Sequence, residues 1–559
     1  MPFRGVADAF DRIAVDSLHG TGYGNLREDK GVYGKMRTER HDDPFVLNLT
    51  EAARFIRVSE KTLRELARNK RIPCQKVGRE WRFLRPGLEQ WLSGPTGAPS
   101  TAESAGSYRQ TVLFPDEARA DEETTPSGFG DTAFTKNRRE PLHRWVPWIA
   151  GFSAGFVEGA LGTLVSGEPQ NVTVLDPFAG VGTTLVEGLK CGYNVVGFEI
   201  NPYAALACEV KLSCCRFNQE QLAGTIDRME KLRRSSWSRT ARPTSKPPSG
   251  FRSKVAFFSP AVERQVLLLQ DFIAEQRGVL NRKILNLAFG SVMVGFSNYS
   301  YEPSLSTRSA AGKDEIENAD VLKVFCDKLW EIWTDIGFLQ RHMKRFEREP
   351  TAAIHRCSYL TSSDLLPELS IDVLITSPPY LNNYHYVRNT RPQLHWLGLV
   401  NGSGDLKRLE EENFGQFWQT VRSRPAIGLD FKLPRLSDVL QGIRERNREK
   451  GSYGGGGWAN YAAAYFNDCN RFFSVTHPLM KRGGHVVIVV GNNIVQGINV
   501  ETDQFLAQIG ELHGFRLEAM HQVRRKRTGS SIVNSSVRVG AVKTRTELHE
   551  TAIVLRAPC

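Results

Sequence analysis

Asp176-Pro177-Phe178-Ala179-Gly180-Val181-Gly182-Thr183-Thr184 is the stretch of sequence that indicates the fold of this chain. The apolar run 171–175 before it predicts a strand, and the pattern of 184–190 after it predicts a helix. Glycines at such a junction let the backbone approach a ligand closely, at the carboxyl edge of the sheet where α/β folds bind ligands. No Lys follows Gly182, and Leu185 stands where a third Gly would be, so the stretch is neither a phosphate-binding loop nor a dinucleotide fingerprint.

Alternating strand and helix patterns continue from this stretch and predict one α/β domain over 131–559. Two insertions interrupt the pattern: a largely helical one at about 216–350, with helices over 261–274 and 319–346, and an irregular one at 382–457. Insertions of this length usually lie on the functional face of an α/β domain. Seven strands are predicted, over 171–175, 194–198, 353–358, 372–376, 485–490, 516–523 and 551–555.

Glu199 closes the second predicted strand, about twenty residues after the glycines, where an acid accepts the ribose hydroxyls of a nucleoside cofactor. Taken alone, an acid at a strand end is more often a helix cap or a surface residue. Its meaning therefore depends on the other motifs.

Thr376-Ser377-Pro378-Pro379-Tyr380 follows the fourth predicted strand and is the second motif with a chemical meaning. The exocyclic amine of a base is a poor nucleophile because its lone pair is delocalised into the ring, so direct transfer to it requires acceptors for its protons. Two prolines fix the loop and remove backbone donors, which leaves carbonyls. Ser377 Oγ and the Pro378 carbonyl can accept from an amine, and Tyr380 can stack on a base swung out of a duplex.

Together the two motifs resemble those of the amino-group DNA methyltransferases, which use S-adenosylmethionine as methyl donor. The resemblance covers 133–215, 354–396 and the stretch from 458 onward. It implies a Rossmann-like, seven-stranded class I methyltransferase sheet that carries a helical insertion. It assigns the catalytic role to Ser377, Pro378, Pro379 and Tyr380.

The same resemblance implies where the cofactor binds. Asp176 and the glycine loop would face the methionine part, Glu199 the ribose, and Asp364, after the third strand, the adenine amino group. Phe134, Arg139, His143 and Trp145 resemble the segment that closes over the methionine end. The residues assigned to the cofactor are Asp176, Phe178, Gly180, Gly182, Thr183, Glu199, Asn201, Asp364 and His143.

Ser377 bears on the choice of base. In this family Ser at that position, especially after Thr, resembles the cytosine-N4 enzymes, whereas Asp or Asn resembles the adenine-N6 enzymes. The resemblance thus implies cytosine N4, with adenine N6 as the alternative.

The order of the motifs excludes the family's reversed arrangement, and we expect no recognition domain after the last predicted strand. Candidates for reading the target sequence are the Lys- and Arg-rich loop predicted over 231–254, the insertion 382–457, and Arg524-Arg525-Lys526-Arg527.

A small winged helix-turn-helix domain is predicted over 45–93, between a disordered leader (1–44) and a linker (94–130) rich in Gly, Ser, Thr and Pro. Leu49-Thr50-Glu51-Ala52-Ala53 and Trp81-Arg82 are among the residues by which it resembles the excisionase-type, MerR-like DNA-binding domains. That resemblance implies a recognition helix in the major groove and a wing near phosphates. The residues it assigns to nucleic acid are Lys61, Thr62, Arg64 and Arg68 on the helix, and Arg79 and Arg82 on the wing.

Composition adds limits. The net charge of +12 suits a polyanionic partner. The nine cysteines show no C-x-x-C spacing, so neither a disulfide framework nor a metal site is predicted. Pro73-Cys74-Gln75 spells the nucleophile motif of cytosine-C5 enzymes, but it lies in the small N-terminal domain, and we interpret Cys74 as structural. No apolar run is long enough for a membrane span and no signal peptide is recognisable, so we expect a cytoplasmic protein without a membrane partner.

The sequence therefore predicts an enzyme that methylates a flipped base in double-stranded DNA, and a cognate restriction or defence nuclease is a candidate partner. Methylation of RNA is an alternative, against which the helix-turn-helix argues, because A-form major grooves do not admit a reading helix. A catalytically inactive DNA-binding regulator is another, against which the complete set of motif residues argues. The target sequence, the oligomeric state and the role of the helix-turn-helix stay open.

Overall fold

A computed structural model of the protein describes residues 46–88, 132–148, 151–526 and 548–559, apart from 48, 57, 69–71, 73, 78–79, 85–87, 133, 236, 302–303 and 382–383. The chain divides into two compact units, Met1–Gly106 and Ser107–Cys559. The predicted leader and linker lie outside the described residues. Among the described residues, no helix combines the length and the apolar character that a membrane span requires.

The N-terminal unit is a small helix-turn-helix with a three-stranded antiparallel sheet in the order β1-β3-β2. Its core consists of small and apolar side chains, among them Ala52, Leu63 and Phe83. A third helix is predicted from the sequence between Pro86 and Leu92, and of these residues the structure describes only Leu88. The elements are β1 (Val46–Leu47), α1 (Leu49–Phe55), α2 (Glu60–Arg68), β2 (Gln75–Val77) and β3 (Glu80–Leu84).

The second unit is built on a seven-stranded sheet in the order β13-β14-β10-β9-β4-β5-β8. Five neighbouring strands, from β10 to β8, run parallel, whereas β14 is antiparallel to both β10 and β13. The strands are β4 (Thr173–Asp176), β5 (Asn194–Phe198), β8 (Ala352–His355), β9 (Ile371–Thr376), β10 (Met480–Gly491), β13 (Arg516–Lys526) and β14 (Leu548–Arg556). All seven predicted strands are present, and the predicted Rossmann-like α/β fold is confirmed.

Both faces of the sheet are buried. Alternate residues of each strand point to opposite sides, and both sets of side chains belong to apolar clusters. Val174 and Val373 belong to one apolar cluster, and their chain neighbours Leu175 and Leu374 belong to the other. Helices cover the two faces. The strand order reverses between β4 and β9, and the crevice at such a reversal is where open α/β sheets bind ligands.

The helices of this unit flank the sheet or lie in the two insertions. They are α3 (Ala154–Leu164), α4 (Thr183–Lys190), α5 (Pro202–Leu212), α6 (Gln219–Arg234), α7 (Trp237–Thr240), α8 (Pro260–Ala274), α9 (Val279–Val292), α10 (Val321–Met343), α11 (Tyr359–Ser362), α12 (Tyr386–Trp396), α13 (Ser403–Glu411), α14 (Trp418–Val421), α15 (Pro434–Arg444), α16 (Gly455–Thr476) and α17 (Thr502–Leu512). Two short hairpins complete the unit, β6 (Tyr299–Tyr301) with β7 (Leu305–Thr307) and β11 (Asn493–Val495) with β12 (Ile498–Val500).

The structure corrects the description of both insertions. The first is helical as predicted, but the loop predicted over 231–254 begins inside α6, and α9 adds a helix that the sequence pattern did not indicate. The second, predicted to be irregular over 382–457, contains α12 to α15. These helices are only 4 to 11 residues long, and α12 contains Pro392, a residue that argues against a helix in the sequence.

Asp335 on α10 joins the first insertion to the segment that precedes the sheet. Its buried carboxylate accepts hydrogen bonds from the Leu142 amide (2.9 Å), from Arg144 Nε (3.0 Å) and Nη2 (2.5 Å), and from Trp145 Nε1 (2.9 Å). Hydrogen bonds that involve an ionised partner contribute more than neutral ones. The inserted helix therefore holds residues 142–145 in place.

We expect Asp335→Ala to lower the free energy of unfolding by about 3 kcal/mol, because it removes the shared acceptor and leaves buried donors unsatisfied. Urea denaturation followed by circular dichroism measures this change. The matched control is Asp327→Ala on the same helix. The exposed carboxylate of Asp327 forms an ion pair with the exposed Lys323. That control should change stability by less than about 0.5 kcal/mol, and an equal loss in the two variants would contradict the role of Asp335.

Candidate active site

The loop 177–182, here called the glycine loop, connects the end of β4 to α4 and passes close to α5. Gly180 and Gly182 have φ angles of 53° and 84°, which L side chains rarely adopt. A Cβ at Gly182 would lie 3.1 Å from Cys208 Sγ, and one at Gly180 would lie 3.4 Å from Trp148 Nε1. The two glycines thus permit both the turn and the close approach to α5.

Lys211 of α5 forms a hydrogen bond with the backbone of the glycine loop. Its side chain is fully buried, and Nζ donates to the Val181 carbonyl at 2.7 Å. Burial lowers the pKa of Lys211 to about 8. Cys208, one helical turn earlier on α5, donates from Sγ to the Gly180 carbonyl at 3.2 Å. Two side chains of α5 therefore hold the backbone of the loop.

Glu199 follows β5 and reaches the same loop. Its Oε2 accepts from the Gly180 amide at 2.8 Å, and its Oε1 accepts from the Asn201 amide at 2.7 Å. Burial raises the pKa of Glu199 to about 7, although these backbone bonds oppose the shift. Each carboxylate oxygen has a second lone pair, so the group can accept further hydrogen bonds from a ligand.

Asp176 ends β4 and contacts the strand beside it. Thr376 Oγ1, at the end of β9, donates to Asp176 Oδ1 at 2.6 Å, and the Phe178 amide donates to the same oxygen at 3.1 Å. Burial raises the pKa of Asp176 to about 6, against the effect of its hydrogen bonds. Two motifs that are 200 residues apart in the chain are therefore joined at one point of the sheet edge.

The loop 377–380, here called the tetrad loop, follows β9 directly. Ser377 Oγ lies 3.4 Å from Tyr380 Oη, which in turn lies 3.4 Å from Glu550 Oε1 on β14. Burial, and then the charge of Glu550, raise the pKa of Tyr380 well above its ordinary value. Pro378 is buried, and the side chains of Ser377 and Tyr380 are partly exposed. The tetrad loop and the glycine loop thus share one crevice.

Three aromatic or acidic residues join this site that the sequence patterns did not single out. The indole of Trp148 lies against Gly180, and its ring stacks with that of Tyr386 at a centroid distance of 6.5 Å. Burial, with the charge of Glu199 as the next cause, raises the pKa of Tyr386. Tyr386 begins α12 in the second insertion and Glu550 lies on the last strand, so no spacing within a motif reveals either of them.

Three more of the residues predicted to bind a cofactor lie in the glycine loop or beside it. Asn201 caps α5 by accepting from the Tyr203 amide at 3.0 Å, and its amide group donates to Thr390 Oγ1 at 2.8 Å. Thr183 is buried at the first position of α4. The ring of Phe178 packs edge-on against Phe414, with a centroid distance of 4.9 Å.

His143 contacts α4. Its Nε2 lies 2.6 Å from Glu187 Oε1, whose other oxygen binds Lys190 Nζ at 2.7 Å. Burial lowers the pKa of His143 and so favours the neutral ring. Its Nε2–H group then donates a hydrogen bond to the Glu187 carboxylate. This contact fixes the segment before the sheet against the helix that follows the glycine loop. A contact between His143 and a cofactor stays a prediction.

Asp364 lies beyond the end of β8. It is exposed in a short 3-10 helix, nine residues after His355, the last residue of the strand. The contact of Asp364 with an adenine amino group stays a prediction.

The residues predicted to bind nucleic acid lie on the expected elements of the N-terminal unit. Lys61, Thr62, Arg64 and Arg68 belong to α2, where the Arg64 side chain is exposed, and Arg82 belongs to β3. Arg79 lies outside the described residues. Cys74 precedes β2, and burial raises the pKa of its thiol, which does not favour a reactive thiolate. No group of three potential metal ligands occurs in the part of the chain that the structure describes.

Comparison with known proteins agrees with this geometry. Residues 46–95 match the family model of the helix-turn-helix domain. Type II methyltransferase M.BsoBI from Geobacillus stearothermophilus is 22% identical over 443 residues, which cover 71% of this chain and 83% of that protein. The relatives of this chain are type II methyltransferases. M.AvaI from Anabaena variabilis is 23% identical over 450 residues (76% of this chain, 88% of that protein), and M.MvaI from Kocuria varians is 22% identical over 383 residues (67% and 82%).

Among solved structures, the rRNA methyltransferase aviRa from Streptomyces viridochromogenes aligns with 75% of this chain and 93% of its own, at 10% identity. The TM-score of 0.26 is too low for this likeness to support an argument. The relation to methyltransferases therefore depends on the sequence relatives and on the sheet order described above.

The buried carboxylate of Asp176 makes a pH-dependent contribution to stability. Its pKa in the folded protein, about 6, lies above the value near 4 of an ordinary aspartate. Ionisation as the pH rises through this window therefore costs stability, and a shift of this size corresponds to about 3 kcal/mol. The cost is absent well below pH 4 and complete above pH 7.

We expect Asp176→Asn to match the wild type in stability near pH 4 and to exceed it by up to about 3 kcal/mol at pH 8. Asparagine keeps an oxygen for the Thr376 and Phe178 donors and carries no charge. Urea unfolding at pH 4, 6 and 8 measures the difference, with Asp227→Asn on the exposed face of α6 as control. A difference that does not change with pH would show that the buried charge is not its cause.

Proposed function

We propose that this protein transfers a methyl group from S-adenosylmethionine to the exocyclic amine of a base in double-stranded DNA, with N4 of cytosine as the acceptor. The observation that carries the proposal is the hydrogen bond between Thr376 and Asp176, which sets the tetrad loop beside the glycine loop. The type II methyltransferase relatives, which align over most of the chain, support the same reaction.

The charge of the crevice and its glycine loop support S-adenosylmethionine as the methyl donor. When bound, the cofactor supplies an electrophilic methyl group on a positively charged sulfur. The glycine loop gives close access to backbone, and Glu199 is placed to accept from ribose hydroxyls. Asp176 and Glu199 are buried acids whose negative charge favours a cationic ligand. The aromatic rings of Trp148 and Tyr386 also favour a cation, through the cation–π interaction.

The tetrad loop fits the amine. Ser377 Oγ and the carbonyl of Pro378 are acceptors without a competing backbone donor at 378 or 379, because both residues are prolines. Acceptors of this kind take the amine protons and localise the nitrogen lone pair. The acceptor nitrogen lies inside a duplex, so the base must leave the stack, and the ring of Tyr380 can then stack on it.

Support for cytosine comes from Ser377. The hydroxyl stands where adenine-N6 enzymes carry an Asp or Asn, and it follows Thr376 as in the cytosine-N4 enzymes that the motif resembles. Adenine N6 is the second candidate for the acceptor, since its amine presents the same two protons.

Support for duplex DNA comes from both units. The helix-turn-helix match includes α2. We propose that four side chains of α2 contact bases or phosphates in the major groove of DNA, namely Lys61, Thr62, Arg64 and Arg68. In the second unit, Arg524, Arg525 and Lys526 end β13 opposite Glu550, His549 and Leu548. This basic strand end therefore lies at the sheet edge that carries the tetrad loop. We also propose, from the type II class of the relatives, a nuclease partner in a restriction–modification system.

Incubation with methyl-labelled cofactor and mixed-sequence duplex DNA, followed by nucleoside mass spectrometry, tests the reaction. We expect N4-methylcytosine from the wild type and a rate lower by about 100-fold or more for Ser377→Ala, by analogy with the loss of one preorganised catalytic hydrogen bond. Ser370→Ala, at the opposite end of β9, is the matched control and should act as the wild type does.

Each other outcome has a distinct meaning. N6-methyladenine would contradict the choice of base, and methylation of transfer RNA in preference to DNA would contradict the choice of nucleic acid. Absence of any methylated base, together with DNA binding, would contradict the enzyme and favour a DNA-binding regulator.

A further inference from the structure

Glu550 is a buried carboxylate beside the tetrad loop that the chemistry above does not use. We propose that it is a positioning residue, which orients the hydroxyls of Tyr380 and Ser377 so that Ser377 Oγ presents lone pairs to the base amine. The proposal rests on the proposed function, the methylation of an exocyclic amine. It holds for cytosine and adenine alike, because it concerns only the amine protons.

Glu550 is fixed at this position by its strand and by two hydroxyl groups. It lies on β14, between Gly491 of β10 and Arg524 of β13, and is 7% exposed. Oε1 lies 3.4 Å from Tyr380 Oη, and Oε2 accepts from Thr132 Oγ1 at 3.0 Å. The carboxylate therefore has one oxygen for the tetrad loop and one for the segment that precedes the sheet.

The chemistry of the three groups sets the direction of each hydrogen bond. An ionised carboxylate holds no proton and can only accept, so Tyr380 Oη donates to Glu550. The phenol oxygen then has only lone pairs left, and Ser377 Oγ donates to it. With its own proton used in this way, the Ser377 oxygen can only accept on its remaining side, which is what an amine with two protons requires.

Without the carboxylate, the hydrogen bond that sets the direction of the Tyr380 hydroxyl is lost. Tyr380 could then donate to Ser377, and Ser377 would offer its proton rather than its lone pair to the base. Both contacts are 3.4 Å long, and catalytic hydrogen bonds of this kind often shorten only when the substrate is bound. The charge of Glu550 thus acts on the amine through two hydroxyl groups, without contact with the base.

The competing explanation is structural. Through Thr132, Glu550 also joins the segment before the sheet to the hairpin of β13 and β14. A residue needed only for this contact would affect folding and ligand binding, whether or not the Tyr380 hydroxyl is present. A double-mutant cycle with Tyr380→Phe separates the two, since phenylalanine keeps the ring that stacks on a base and removes only the hydroxyl.

The experiment measures single-turnover methyl transfer and, by calorimetry, the affinity for S-adenosylmethionine in four proteins: wild type, Glu550→Gln, Tyr380→Phe and the double variant. We expect Glu550→Gln to lower the transfer rate by about 10- to 100-fold, because the amide carries no charge and can donate as well as accept, so that it no longer fixes the direction of the Tyr380 hydroxyl. Cofactor affinity should stay within about twofold, since the two hydrogen bonds described for Glu550 reach Tyr380 and Thr132 rather than the glycine loop. In the Tyr380→Phe background, Glu550→Gln should have no further effect.

The matched control is Asp503→Asn. Asp503 is a buried carboxylate that accepts a hydrogen bond from Thr551 Oγ1 at 2.8 Å. Thr551 lies next to Glu550 on β14, and none of the hydrogen bonds described for Asp503 reaches the tetrad loop. Its loss should lower stability and leave the transfer rate within about twofold. Thr132→Val keeps the carboxylate and serves if Glu550→Gln does not fold; its smaller rate loss should likewise vanish in the Tyr380→Phe background.

Equal rates for wild type and Glu550→Gln, or losses that multiply in the double variant, would overturn the proposal. A wild type that methylates no base at all would instead overturn the proposed function, so the two failures are distinguishable.

Discussion

The hydrogen bond from Thr376 Oγ1 to Asp176 Oδ1, 2.6 Å long, is the contact on which the site depends. It joins the ends of β4 and β9, which are parallel neighbours at the point where the strand order reverses. Thr184 adds a second link, because its hydroxyl donates to the Ile375 carbonyl at 3.2 Å. The loops that follow the two strands must therefore open into the same crevice, although a long helical insertion separates them in the chain.

This arrangement has an energetic cost that the rest of the fold offsets. Burial raises the pKa of both Asp176 and Glu199, which means that each carboxylate would be better solvated in the unfolded chain. Under the proposed function the two acids face a cationic methyl donor, which accounts for keeping them in spite of the cost. The surrounding structure supplies compensation through contacts such as those of Asp335 with residues 142–145.

The sheet and its two motifs could be predicted because they are local. Strands buried on both faces appear as short apolar runs, and each motif occupies a single loop at a strand end. The helices of 382–457 could not be predicted in the same way, since each is at most 11 residues long and α12 contains Pro392. Trp148, Tyr386 and Glu550 reach the crevice only through tertiary contacts, and Glu550 lies 170 residues from Tyr380 in the chain. Asp364 follows the expected strand with an exposed side chain, and its contact with an adenine amino group stays a prediction.

The central claim is that the glycine loop and the tetrad loop form one methyl-transfer site. A crystal structure with S-adenosylhomocysteine tests it most directly. We predict ribose hydroxyls at Glu199, the amino-acid part beside Asp176 and Gly180, and the sulfur facing Ser377 and the Pro378 carbonyl. A ligand bound elsewhere, or bound with its sulfur turned away from the tetrad loop, would contradict the account.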